Sequence, residues 1–230
     1  MRAYDDLTTA LQAMLKDWSQ GYQCWIEPFV IERHKLPALN DKWHENYGIR
    51  LPAHTRRYRH SKGLPTAVAY AAPVPGLQTK VRVTMLARLP SIPKDSPWAR
   101  EKWRQDPLVF DDYIITRERD ATRTLRWTWK LQDRAFGIWE QDMLRLAKLG
   151  DGAEVARTTW QAVRYWPLFG GVRRQLRRAL RGAAKLWRAM HKDRPWPGPD
   201  PEKLPSVGGY RKMSAQASAV TEITGCAILV

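Results

Sequence analysis

Between Val155 and Lys192 the sequence carries ten Lys or Arg residues and not one Asp or Glu. A stretch of one charge sign repels itself. It folds only where an apolar stripe anchors it and where counterions or a polyanion meet the charge. The stripe is present: Val172, Leu176, Leu180, Ala183, Trp187 and Met190 recur at three- and four-residue steps, which predicts a helix over 172–192. Arg173, Arg174, Arg177, Arg178, Arg181, Lys185 and Arg188 occupy the rest of its surface. A guanidinium is planar and donates two parallel hydrogen bonds, so it suits phosphate oxygens. The bland alternative is a solvated face with nothing bound. Ordinary charged faces mix both signs, and this one does not. Gly182 in mid-helix weakens the helix slightly.

A second acid-free window runs from Asn46 to Lys94. It opens inside a helix–turn–helix-like stretch. Lys35–Tyr47 reads as a helix with Leu36, Leu39, Trp43 and Tyr47 on one side, Gly48 ends it, and a short basic helix covers Pro52–Ser61. Leu51 and Tyr58 are the candidates for the inner face of that second helix. Arg56, Arg57, Arg59 and Lys62 would then hold phosphates or read base edges. The bulk of Trp43 and His44 before the turn glycine departs from a DNA-reading hairpin and favours an ordinary helical hairpin with a basic surface.

The middle of the chain switches period. Val81, Val83, Met85 and Ala87 alternate with Lys80, Arg82, Thr84, Leu86 and Arg88, a strand signal. Val109–Arg117 reads as a second strand. Thr124–Leu131 reads as a third, with Leu125, Trp127, Trp129 and Leu131 facing inward, and the polar stretch Glu118–Thr122 suits a hairpin. Were the first and third strands in one sheet, Lys80, Arg82, Arg88, Arg126 and Lys130 would make one of its faces cationic.

Helices are expected over Asp5–Trp18, Asp133–Leu149 and Ala153–Trp166, each from apolar residues at helical spacing. The loop Pro90–Asp106 has room for a short helix around Trp98. The fold class is therefore α+β: an N-terminal helical region with the helix–turn–helix-like hairpin, a small antiparallel sheet, and C-terminal helices that include the Arg-rich one. The expected division is 1–66, then 67–192, then a Pro/Gly-rich linker and mobile tail over 193–230. The twelve Trp residues are mainly core material, with some available to stack on bases or a partner.

Apolar residues make up 43 % of the chain, enough for a packed core, and the formal net charge is +16. That charge puts nucleic acid first among partners, an anionic membrane surface second and an acidic protein third. No apolar run approaches the ~18 residues of a membrane span, and no secretory signal is visible, so a cytoplasmic protein is expected. Cys24 and Cys226 do not make a cysteine-based zinc set.

Catalytic signals are poor. There is no His-x-His pair, no HExxH, no phosphate-binding glycine loop, and no cofactor is implied. Asp111-Asp112 and Asp5-Asp6 are acid pairs that could hold magnesium in a nuclease, but adjacent acids on a strand point to opposite faces. His44, His54 and His60 are the acid–base candidates for a metal-free one. The leading expectation is non-enzymatic binding of DNA or RNA through the phosphate backbone, in the style of a DNA-binding factor of a bacterial mobile element. The alternatives are an RNA-binding subunit of a ribonucleoprotein complex, with other protein subunits as partners, and a nuclease.

Overall fold

The computed structural model describes residues 1–92, 94–119 and 122–206 of the 230. They form a mixed α+β protein with one five-stranded and one three-stranded sheet. The chain divides into two compact units, Met1–Ile115 and Thr116–Val230.

In the first unit, β1 (Arg2–Ala3) leads into α1 (Leu7–Ser19), whose N-terminus is capped by Asp6 accepting from the Thr9 amide at 2.7 Å. Two short strands follow, β2 (Cys24–Trp25) and β3 (Phe29–Glu32), then α2 (Leu36–Tyr47) and α3 (Ala53–Ser61). A long hairpin, β4 (Thr66–Val74) and β5 (Leu77–Arg88), forms the centre of the sheet. Gly76, with φ +75°, makes its turn. β4 pairs in parallel with β1 on its far side, and β5 pairs antiparallel with β2 and β3. The boundary read near residue 66 therefore lies inside this unit. Arg2 and Ala3 pair with Tyr70 and Ala71, which ties the N-terminal segment to the sheet that follows it.

Both faces of the hairpin are covered. Ala67, Ala69, Ala71, Val81, Val83 and Met85 pack with Trp43 and Tyr47 of α2 and with Trp98 of the short helix α4 (Pro97–Arg100). The opposite face, with Val68, Tyr70, Thr84 and Leu86, is buried as well, and α1 lies against these two strands. Thr66–Val74 escaped the pattern reading for this reason. A strand covered on both sides shows no alternation, and this one reads as mostly small residues around Tyr70 with Pro73 near its end.

The second helix of the helical hairpin is lightly seated. α2 and α3 follow one another around Gly48, which takes φ +65°. Yet α3 buries none of its own residues, and Tyr58, the expected inner residue, is 62 % exposed. α3 lies against β4, and Arg59 Nε donates to the Pro65 carbonyl at 3.3 Å.

The strand expected over Val109–Arg117 is two strands, β6 (Val109–Phe110) and β7 (Tyr113–Arg119), with Asp111 at φ +59° in the turn between them. Aspartate tolerates this left-handed conformation better than most residues, which is why a tight turn fits where a continuous strand was read. The chain passes from the first unit to the second within β7.

In the second unit β7 neighbours β8 (Leu125–Leu131). The strands Lys80–Leu89 and Thr124–Leu131 thus lie in different sheets, so Arg82 and Arg126 do not share one cationic face. The inward set of β8 also shifts. Trp129 and Leu131 are buried, whereas Leu125 is exposed and Thr128 is buried instead. Three helices complete the unit: α5 (Asp133–Leu149), α6 (Gly152–Tyr165) and α7 (Gly170–Met190). Met143, Leu146 and Ala147 of α5, Val155 of α6, and Ala183 and Trp187 of α7 form one cluster. The expected stripe of α7 is buried from Val172 to Trp187, and only Met190 is exposed. Gln175 locks α7 to the sheet. Its Oε1 accepts from the Leu131 amide at 2.9 Å and its Nε2 donates to the Leu131 carbonyl at 3.0 Å, as a neighbouring strand would. Half of the twelve Trp residues are buried, namely Trp18, Trp25, Trp43, Trp98, Trp129 and Trp187, five are half-buried, and only Trp160 is exposed. The expected tail beyond residue 206, with Cys226, lies outside the described residues.

Candidate nucleic-acid interface

The acid-free window Asn46–Lys94 lies in the first unit and Val155–Lys192 in the second. In the first unit, α1 and α3 line a cleft of about 670 Å³ together with the strand ends Arg2 and Arg88. Each helix contributes one face at helical spacing: Ala13, Lys16 and Asp17 from α1, with Gln20 just past its end, and Ala53, Arg56, Arg57 and His60 from α3. Tyr4 and Tyr22 complete the lining. Arg2, Lys16, Arg56, Arg57 and Arg88 bring five positive charges, and Asp17 is the only acid among the lining residues.

Asp17 is committed to the protein. It is buried, and one of its carboxylate oxygens accepts from both Arg2 Nη1 and the Tyr70 hydroxyl. Burial, and then the neighbouring Asp17 carboxylate, push the Tyr70 hydroxyl far above its ordinary pKa, so it stays protonated and donates. This fixes Arg2 at the cleft wall. Arg56 is held by its Nη1 donating to the Leu51 carbonyl at 2.6 Å. Arg88 lies against Gly21, where φ is +97° and an added Cβ would stand 3.0 Å from the guanidinium. Arg57 and Lys16 are exposed and have no acid partner among the described residues.

The other expected residues of this unit fall elsewhere. Arg59 is turned to the Pro65 carbonyl, and the Lys62 amine sits over the Tyr58 ring at 5.8 Å. Arg82 is ion-paired to Asp111, and burial lowers its pKa. That pairing also draws Asp111 away from a metal-holding acid pair, and among the described residues no group of three or more His, Cys, Asp or Glu side chains is placed to hold a metal.

In the second unit the arginine helix is partly neutralised by its own chain. Arg174 binds the Glu118 carboxylate and the Arg119 carbonyl. Arg181 forks onto Glu202 with bonds of 2.6 and 2.8 Å, and Arg177 lies 3.9 Å from the same carboxylate while donating to the Pro201 carbonyl at 3.1 Å. The hydrogen bond from Arg181 holds the Glu202 carboxyl below its ordinary pKa. Arg178 stands 3.9 Å from Glu140. Arg173, Lys185 and Arg188 have no acid partner among the described residues. Arg126 is exposed on β8. The acids that balance α7 come from distant parts of the sequence, so a local count of charge misses them.

Sequence reasoning singled out Arg56 and Arg57 but missed Arg2, Lys16 and Asp17. A signal existed: Asp17 stands three residues after Met14, on the apolar side of an amphipathic helix, where a carboxylate has to find a partner.

The fold class these observations define is α+β with a cationic cleft in one unit. Comparison with known proteins finds no matching family model, no similar curated protein and no similar solved structure. Among the described residues no helix is long and apolar enough to cross a membrane.

Proposed function

We propose that this chain binds nucleic acid through the phosphate backbone, with the cleft of the first unit as its main grip. The carrying observation is five cationic side chains lining one cleft whose only carboxylate is already spent on Arg2 and Tyr70. Guanidinium groups held ready lose little freedom on meeting phosphate, which favours them over free surface cations. In the second unit Arg173, Lys185 and Arg188 supply further phosphate contacts. Arg174, Arg177, Arg178 and Arg181 contribute only as far as a polyanion displaces their internal carboxylates.

Titrating labelled oligonucleotides of unrelated sequence tests the reading. Affinity should fall linearly on a log–log plot against salt, with similar slopes for all sequences. Failure to bind DNA or RNA at low ionic strength would sink it.

Glu202 makes a separate test. It occupies a place on α7 that a phosphate would take. Glu202→Gln should release Arg177 and Arg181 and steepen the salt slope by about one unit per freed contact. An unaltered slope would mean that these two arginines do not meet the ligand.

A second reading, a subunit of an RNA–protein assembly, draws on exposed apolar residues of the second unit: Ile138, Leu149, Trp160 and Tyr165. A chain taken from its neighbours should then self-associate in size-exclusion chromatography, whereas a stand-alone binder elutes as one discrete species.

A further inference from the structure

We propose that the cleft of the first unit seats a phosphate monoester, the terminal phosphate of a nucleotide, in preference to the internal phosphodiesters of the backbone it also grips. This deepens the nucleic-acid reading and rests on it for the source of the ligand when that source is a strand end.

Five cations and one carboxylate leave an excess of four positive charges around one cleft. An internal diester brings one negative charge and two free oxygens. A monoester brings close to two negative charges near neutral pH and three free oxygens, so it answers such a concentration of donors far better. Two of the guanidinium groups are also seated before any ligand arrives. Arg2 is held by buried Asp17 and Arg56 by the Leu51 carbonyl. Donors fixed in this way form a site rather than a diffuse field.

Shape and surface agree. About 670 Å³ is within the range of pockets that take small molecules, and a nucleotide is of that size. Tyr4, half-buried and stacked on Tyr70 with ring centroids 6.4 Å apart, lines the same cleft and offers an aromatic surface to a base. α3 carries Arg56, Arg57 and His60 to the cleft wall.

The test uses the full chain and fluorescence anisotropy. Ten-nucleotide single strands of one sequence carry a terminal phosphate or a terminal hydroxyl, with the dye at the opposite end. Dye-labelled adenosine monophosphate and dye-labelled adenosine form a second pair. The phosphorylated strand should bind about tenfold more tightly than its hydroxyl twin, the scale of one or two charge-assisted hydrogen bonds. Arg57→Ala should erase most of that preference. Arg57 is exposed and without an acid partner, so its loss leaves the fold intact. Arg2→Ala should act in the same direction, and circular dichroism would show whether that variant has folded. A preference seen only in the mononucleotide pair supports the pocket and assigns it to free nucleotides. Equal binding within both pairs overturns the pocket, while leaving the broader reading standing if the strands bind at all. No binding of any probe at low salt overturns both.

Discussion

Gly171→Ala should lower the stability of the protein by about 3 kcal/mol, the upper end of what overpacking costs. Gly171 lies in the first turn of α7, where that helix meets β8. A Cβ built there stands 2.4 Å from the Trp129 carbonyl oxygen and 3.1 Å from the Lys130 Cβ. The obstacle is strand backbone beside a fully buried tryptophan, so nothing flexible can give way. The Gly171 amide also donates to Thr128 Oγ1 at 3.1 Å, a bond that any retreat of the helix would stretch. Gly182→Ala is the internal control. It is on the same helix, exposed, with nothing within 4 Å of an added Cβ. That change should stabilise by roughly 0.5–1 kcal/mol, the ordinary helix preference of alanine over glycine. Urea denaturation of the two variants should therefore move the midpoint in opposite directions. A neutral Gly171→Ala would mean that α7 does not approach the strand this closely.

Asp17→Ala should cost a similar amount, about 3 kcal/mol, for an electrostatic reason. The carboxylate is 5 % exposed and is shared by Arg2 and the fully buried Tyr70 hydroxyl. Its removal leaves a buried donor unmet and a guanidinium without its anchor, and the loss of both partners at once exceeds that of an ordinary hydrogen bond. Tyr70→Phe removes only one of the two donors and should cost about 1 kcal/mol. Denaturation midpoints of the two variants check the ordering. Equal losses would show that the Arg2–Asp17 pair adds nothing to the Tyr70–Asp17 bond.

Much of the fold was legible from periodicity. α1, α2, α5, α6 and α7 lie within a few residues of the spans read from apolar spacing, because each has one buried face and one wet face. β5 was legible at its N-terminal end, where Lys80 and Arg82 still alternate with Val81 and Val83. Toward Arg88 both faces are buried and the alternation fades. β4 was illegible for the same reason along its whole length. The turn at Asp111 was hidden by apolar residues on either side of it.

The site was legible in part. Arg56 and Arg57 stood out as basic residues on a short helix. Lys16, Asp17 and Arg2 did not, because nothing local links a lysine and an aspartate on one helix to an arginine at the chain start. Only the parallel pairing of Arg2 with Tyr70, and the packing of α1 on the same hairpin, brings them together. The arginine helix misled in the opposite way. Its run of one sign was plain, but the carboxylates of Glu118, Glu140 and Glu202 reach it across 21 to 56 positions of sequence. The cations left without internal carboxylates are accordingly concentrated in the cleft of the first unit.

The central claim is that the cleft's cations grip phosphate, and the salt dependence of binding for the full chain and for Arg56→Ala/Arg57→Ala tests it most directly. With one oligonucleotide titrated from about 50 to 200 mM salt, the double variant should show a slope shallower by about two units, one for each lost contact. A double variant that binds with the slope of the unaltered protein would contradict the account.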